Sequence, residues 1–321
     1  MEFRNLGTSG LRVSLVGLGC NNFGVRIGFE AARKVLHKAL DLGITMFDTA
    51  DIYGAGSSES FLGEIIGRRR NDVVLATKFG MSMDEVHAPS GASRRYIMTA
   101  VEASLKRFRT DHIDLYQLHR PDPLTPIEET LRALDDLIQQ GKVRYIGCSN
   151  IPAVQVVDAQ SAAKAQGLNV FISCQNEYSL INRNIERELL PVMQNQGLGL
   201  LPFFPLAGGL LTGKYMRGQP PAPGTRFAST PKFFAYHGND ANFAIAEKLE
   251  AFAAARGHTL LELAFAWLAA RPQVASVIAG ATTPQQVEQN VMAAEWKLGA
   301  EEIAEVDRLT QSSLSTHRQE W

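Results

Sequence analysis

Cysteine is scarce in this 321-residue chain: Cys20, Cys148 and Cys174 are the only three. No two of them form a C-x-x-C pair, which argues against a zinc site. All three lie in apolar, strand-like runs and read as small buried thiols of a reducing compartment. An excess of charge of one sign is missing too. The chain carries 32 basic and 33 acidic residues, a formal net charge of −1, so it lacks the electrostatic footprint of a protein that binds nucleic acid or an acidic membrane. The basic run Arg68-Arg69-Arg70 is short and fits a helix end, where cations complement the dipole. No uninterrupted apolar stretch approaches membrane-spanning length. The opening "MEFRNLGTSGLRVS" has no apolar core of the signal-peptide kind. These absences point to a cytoplasmic protein with neither nucleic acid nor membrane as partner, and they carry no signal for an oligomeric state.

What is present is a rhythm. A small hairpin is expected first, Phe3 to Leu6 and Leu11 to Val13 about a Gly/Ser turn. Short apolar runs then alternate with longer helical patterns. Strands are expected at 14–19, 44–49, 73–79, 113–119, 143–149, 170–175, 198–204 and 276–280. Helices are expected at 29–42, near 58–69, and at 93–108, 126–140, 152–166, 184–196, 240–256, 259–270 and 284–295. Continuously apolar strands are buried on both faces, as in a parallel sheet. Strict alternation repeated eight times favours a single (β/α)8 barrel over residues 1–321, preceded by the hairpin. The rival is a doubly wound sheet with an early dinucleotide fingerprint. "GLGCNNFG" (17–24) fails that test, because Asn22 stands where the third glycine should be. Residues 212–240, rich in Gly and Pro, show no period and read as a long functional loop.

In such a barrel, chemistry gathers at the C-terminal ends of the strands. The stretch "FDTADIYGAGSSESFLG" (47–63) ends an apolar strand on Asp48 and hangs Tyr53 just beyond it. The third strand carries Lys78, the fourth ends at His119, the fifth at Ser149 and Asn150, and the sixth at Gln175. Singly, each has an ordinary structural explanation. Together on one rim, they make an acid–base site. A free tyrosine, with a pKa near ~10, is a poor proton donor and acceptor near neutrality. A lysine ammonium beside it favours the phenolate. An aspartate would keep the lysine charged and oriented, and a histidine could hydrogen-bond the same substrate oxygen.

The segments "FDTADIYG", "ATKFG", "DLYQLHRPD", "RYIGCSN", "CQNEYSL", "PLAGGLLTGKY" and "IAGATTPQQVEQN" resemble the aldo-keto reductase superfamily, from the hairpin to about residue 295. The resemblance implies a (β/α)8 barrel that binds a nicotinamide cofactor without a Rossmann domain and reduces aldehydes and ketones to alcohols. It implies a catalytic tetrad of Asp48, Tyr53, Lys78 and His119, and a carboxamide site of Ser149, Asn150 and Gln175. Phe203 falls where an aromatic ring stacks on the nicotinamide, and Phe204 and Pro205 adjoin it. Leu206, Gly208 and Lys214 match the segment around the pyrophosphate, and Arg226 belongs to the same lid. Gly280, Thr282, Gln286, Gln289 and Asn290 match the adenosine-phosphate segment. Cys20 and Asn21 match a minor cofactor contact.

Two departures bear on specificity. Well-known members pair the cofactor's 2′-phosphate with Lys and Arg where this chain has Gly280 and Gln286, and Phe204 replaces a common serine. NADP(H) is therefore the expected cofactor, with NAD(H) the alternative that a neutral adenosine segment leaves open. The expected partner is a small-molecule carbonyl. The runner-up is a cofactor-binding regulatory subunit of the potassium-channel beta type; the resemblance implies that those proteins lack the tetrad histidine, which this chain has. A short-chain dehydrogenase would need Tyr-x-x-x-Lys, and no tyrosine here has a lysine four residues on. Met81, Phe227, Phe233, Phe234 and Trp321 lie in the expected pocket-forming loops and suggest a partly apolar pocket.

Overall fold

The computed structural model describes residues 1–83 and 91–311. Its chain opens with strands β1 (Phe3–Asn5) and β2 (Arg12–Ser14), an antiparallel pair. Eight more follow: β3 (Val16–Gly19), β4 (Met46–Asp48), β5 (Val74–Phe79), β6 (Ile113–Leu118), β7 (Val143–Ser149), β8 (Ser173–Glu177), β9 (Gly199–Phe203) and β10 (Val277–Gly280). All eight pair in parallel, in the order β10-β3-β4-β5-β6-β7-β8-β9. The seam between β9 and β10 is bridged just ahead of β10. Leu200 N donates to Gln273 O (2.7 Å) and Ala275 N to Leu200 O (3.0 Å). The fold is the expected (β/α)8 barrel with an N-terminal hairpin.

Period-two alternation divides the strand residues between two cores. Phe47, Leu75, Tyr116, Cys148, Cys174 and Leu200 face outward into the large cluster shared with the helices. Met46, Val74, Ala76, Leu115, Leu201 and Ile278 form the smaller inner cluster, against which Leu6 and Val13 of the hairpin region pack. The inner positions turn polar toward the strands' C-terminal ends: Met46 is followed by Asp48, Ala76 by Lys78 and Leu115 by Gln117. A sealed apolar floor thus lies beneath a polar mouth.

The structure shifts some expected boundaries. The sixth barrel strand begins at Ser173 rather than 170. Gln160, on helix Ala153–Ala165, donates to Phe171 O and accepts from Phe171 N, so that residue's backbone bonds to a helix side chain instead of a neighbouring strand. Within 212–240, two short helices form, Arg226–Ser229 and Pro231–His237. A further helix, Ala300–Leu309, follows the last expected one. Among the described residues, no helix is long and apolar enough to cross a membrane.

Candidate active site

Asp48 ends β4, and Lys78 lies two residues past its register partner Ala76 on β5, on the same inward face. Lys78 Nζ donates to Asp48 Oδ1 (2.9 Å), Asp48 Oδ2 (2.8 Å) and Thr49 O (2.8 Å). The two side chains are 1% and 4% exposed, so the pair is removed from water. Gln175 Nε2 donates to Asp48 Oδ1 at 2.7 Å, and Gln117 Nε2 reaches the same oxygen at 3.3 Å. Gln117, on β6 opposite Lys78, is a site residue that the sequence reading missed.

Tyr53 is placed by strain in the following turn. Gly54 (φ 58°), Ala55 (φ 50°) and Gly56 (φ 89°) hold left-handed conformations that reverse the chain before helix Ser57–Ile66. At Gly56 a Cβ would also come within 2.7 Å of the Arg107 side chain, so only glycine suits the position. Lys78 Nζ lies 5.3 Å from the Tyr53 ring centroid. The ring meets His119 edge-on, with centroids 6.0 Å apart. His119 is fixed through its backbone: its N donates to Phe79 O, and its carbonyl accepts from Asn150 Nδ2 at 3.1 Å. Asn150 Nδ2 also donates to Ser149 Oγ, which donates to Gln175 O.

Electrostatics assign protonation states. Burial acts against the Lys78 ammonium, but Asp48 and then Tyr53 outweigh it and hold its pKa above the ordinary lysine value. Burial raises the Tyr53 pKa and the Lys78 charge opposes it; burial wins. Lys78 thus acts in the expected direction, without bringing the phenol below its ordinary value. Burial, with help from Lys78 and Arg120, drives His119 well below the ordinary histidine value. Near neutrality the site holds a charged lysine, a protonated phenol and a neutral imidazole, whose Nδ1 is buried without a hydrogen-bond partner. Such a set can deliver a proton to a developing alkoxide and steady its charge.

These residues open into a cavity of about 970 Å³. Asp48, Tyr53 and His119 line it, while Lys78 sits behind Asp48. Every residue expected to hold cofactor lines it as well: Ser149, Asn150, Gln175, Phe203, Phe204, Pro205, Leu206, Gly208, Lys214, Arg226, Gly280, Thr282, Gln286, Gln289 and Asn290, together with Cys20 and Asn21. Of the aromatic residues expected in the pocket, Phe233 lines it. Phe227 instead stacks on Tyr215 (4.2 Å) and packs against Phe234 within the lid. Met81 O accepts from the Tyr96 hydroxyl, and Trp321 lies outside the described residues. Gln286 Oε1 accepts from Thr282 N and Oγ1.

The residues present fit a dinucleotide. Arg26, Lys214 and Arg226 line one cavity, and none has a carboxylate partner among the described residues. Burial first, then the neighbouring guanidinium groups, depress Lys214 and Arg226. A polyanion between them would relieve that repulsion. Arg26 was invisible to the motif reading, because it follows β3 about two hundred residues before its neighbours. Among the described residues, no cluster of three or more His, Cys, Asp or Glu could hold a metal ion.

Comparison with known proteins agrees with this architecture. Residues 15–311 match the model of the aldo/keto reductase family. The chain is 38% identical to a probable voltage-gated potassium channel subunit beta of Arabidopsis thaliana over 91% of each chain. It is 38% identical to the uncharacterized oxidoreductase YrpG of Bacillus subtilis, over 94% of this chain and 93% of that one. It is 35% identical to L-glyceraldehyde 3-phosphate reductase of Escherichia coli K12, over 96% of this chain and 92% of that one. The barrel, the residues at its mouth and these likenesses agree: the chain belongs to the aldo/keto reductase family.

Proposed function

We propose that this protein is an NAD(P)H-dependent oxidoreductase that reduces an aldehyde or ketone to an alcohol. The observation that carries the reading is the buried Asp48–Lys78 pair directly behind a protonated Tyr53, with neutral His119 against its ring. The nicotinamide, when bound, supplies the hydride. The protein supplies the rest. Tyr53 gives its proton to the carbonyl oxygen as charge develops there. The Lys78 ammonium then stabilises the resulting phenolate, and Asp48 keeps that ammonium charged and aimed. His119, neutral near physiological pH, can hydrogen-bond the same oxygen without adding charge. Ser149, Asn150 and Gln175 would hold the carboxamide. Phe203 would pack on the nicotinamide ring, and Arg26, Lys214 and Arg226 would meet the phosphates.

The oxidoreductase relatives support a carbonyl substrate; one acts by name on a phosphorylated aldehyde. The channel-subunit relatives support a second reading, a cofactor-binding protein with little turnover. His119 favours the enzyme. Initial rates of NADPH and NADH consumption with a panel of aldehydes and ketones separate the two. Cofactor binding without turnover of any carbonyl would leave the second reading standing.

A further inference from the structure

The turn that carries Tyr53 runs straight into helix Ser57–Ile66, and the first buried residues of that helix are polar: Ser58 and Glu59 are both 0% exposed. Each reaches the chain neighbour of an active-site residue. Ser58 Oγ accepts from Thr49 Oγ1 (2.8 Å) and donates to Cys20 O (3.0 Å). Thr49 follows Asp48, and its carbonyl accepts from Lys78 Nζ. Glu59 Oε1 accepts from Thr77 Oγ1 at 2.6 Å. Thr77 precedes Lys78 on β5, so its side chain points to the helix side of the sheet while Lys78 points into the barrel. The second oxygen, Glu59 Oε2, accepts from Arg107 Nε at 2.6 Å. Arg107 lies in the last turn of helix Arg94–Phe108, and its side chain packs against Gly56 at the end of the Tyr53 turn. One carboxylate thus joins three elements: the helix that follows Tyr53, the strand of Lys78 and the next helix.

Packing alone does not call for a charge here. Leu62 and Ile66 continue the buried face of the same helix with apolar side chains, and replacing a buried ion pair by apolar groups of similar volume is often neutral or stabilising. What the charged bridge adds is direction, because a hydrogen bond fixes distance and angle together. We propose that Glu59 is a positioning residue for the proton transfer: by bridging Thr77 and Arg107 it sets the Tyr53 turn against β5 and keeps the phenol ring beside the Lys78 ammonium, 5.3 Å from centroid to Nζ. Glu59 lies outside the cavity lining, so it acts through Tyr53 and Lys78 and not on substrate or cofactor. The proposal rests on the reductase reading above and extends its machinery behind the cavity wall. A misplacement of about 1 Å between reacting groups can cost ~10²-fold in rate, so a small slip of this helix matters.

The test uses the full chain, NADPH and whichever aldehyde of the panel above the wild type turns over fastest. Hydride transfer is followed in single turnovers and expressed per cofactor site, titrated by fluorescence quenching, so that unfolded protein does not count. Thr77→Val keeps the shape of the side chain and removes the hydroxyl that meets Glu59. It should slow hydride transfer by at least ~10-fold while KM and cofactor affinity hold, the split expected when only the transition state loses support. Thr77→Ser, which keeps the hydroxyl, should restore the rate. Glu59→Asp keeps the charge facing Arg107 but is one methylene too short to span both partners, and should show the same split. A wild-type rate per site in Thr77→Val, a rise in KM at an unchanged rate, or a Thr77→Ser variant as slow as Thr77→Val overturns the proposal and leaves the bridge a role in stability only. If Thr77→Val binds no cofactor, the same readings on Glu59→Asp decide. A wild type that turns over no carbonyl of the panel is a different result and removes the reductase reading itself.

Discussion

Arg26 and Arg226 cross the same cavity in opposite directions. Arg26 Nη2 donates to Gly224 O at 3.0 Å, and Arg226 Nη2 donates to Asn22 Oδ1 at 3.0 Å. Each of two distant segments lends its arginine to the other. The result is a roof between the loop after β3 and the lid, with both guanidinium groups beside Lys214. The neutral segment 280–290 made cofactor affinity look short of cations; this crossing adds one.

The crossing predicts how cofactor affinity divides. The three cations should serve the pyrophosphate that NADPH and NADH share. Arg26→Gln should weaken both by on the order of tenfold, the lower range of one lost charge-assisted contact, and should flatten the salt dependence. NADPH should remain preferred by less than ~10³-fold, because the adenosine segment offers only neutral donors. Titration by fluorescence quenching at two salt concentrations measures both. A loss confined to NADPH would instead put Arg26 at the 2′-phosphate.

Tyr53→Phe should keep the fold and the cofactor affinity but cut turnover by at least ~10²-fold, the usual size of a lost acid–base group. Single-turnover rates with a good aldehyde check this. Turnover near the wild-type value would sink the mechanism.

Lys78→Met should abolish most activity and also destabilise, since it strands the Asp48 carboxylate in the barrel. Breaking one side of a buried pair costs about 3–5 kcal/mol, here softened by the bonds from Gln175 and Gln117. Urea titration reads the loss. Adding Asp48→Asn should restore stability but not turnover. Recovery of turnover in that double variant would show that the pair's role is structural only.

Asp51 gives a pH signature. It is 2% exposed. Burial, then the neighbouring Glu59 charge, raises its pKa to about 7. The folded state thus holds a proton that the unfolded chain releases near pH ~4. Stability from this group is full below that value and is lost as pH rises from about 4 to about 7. Asp51→Asn should therefore stabilise the protein at pH 8, by up to about 4 kcal/mol for a pKa raised from about 4 to about 7, and give little at pH 4. Thermal melts of both proteins at the two pH values measure the difference, and an equal effect at both would refute the assignment.

The barrel and much of its mouth were legible in the chain because their causes are local. A parallel strand buried on both faces must be apolar along its length, and eight such runs separated by helical patterns admit few folds. Asp48, Lys78 and His119 stood out because each interrupts or ends an apolar run at the same point of the rhythm, and Tyr53 because it hangs on the loop just beyond Asp48. Other features depended on encounters between distant segments. Gln117 reads as one polar residue inside "DLYQLH" until strand register sets it opposite Lys78 and within reach of Asp48. The helices Arg226–Ser229 and Pro231–His237 are too short to stand alone, and the stacking of Phe227 on Tyr215 helps to hold them. The net rise of the Tyr53 pKa comes from burial, which residue types alone do not reveal. The chain by itself determined what is buried and in what order, since both follow from the period of its apolar residues. Only the tertiary structure decided which charges meet, because Coulomb attraction and hydrogen bonding depend on distance in space: Arg26 and Arg226, two hundred residues apart, share one cavity.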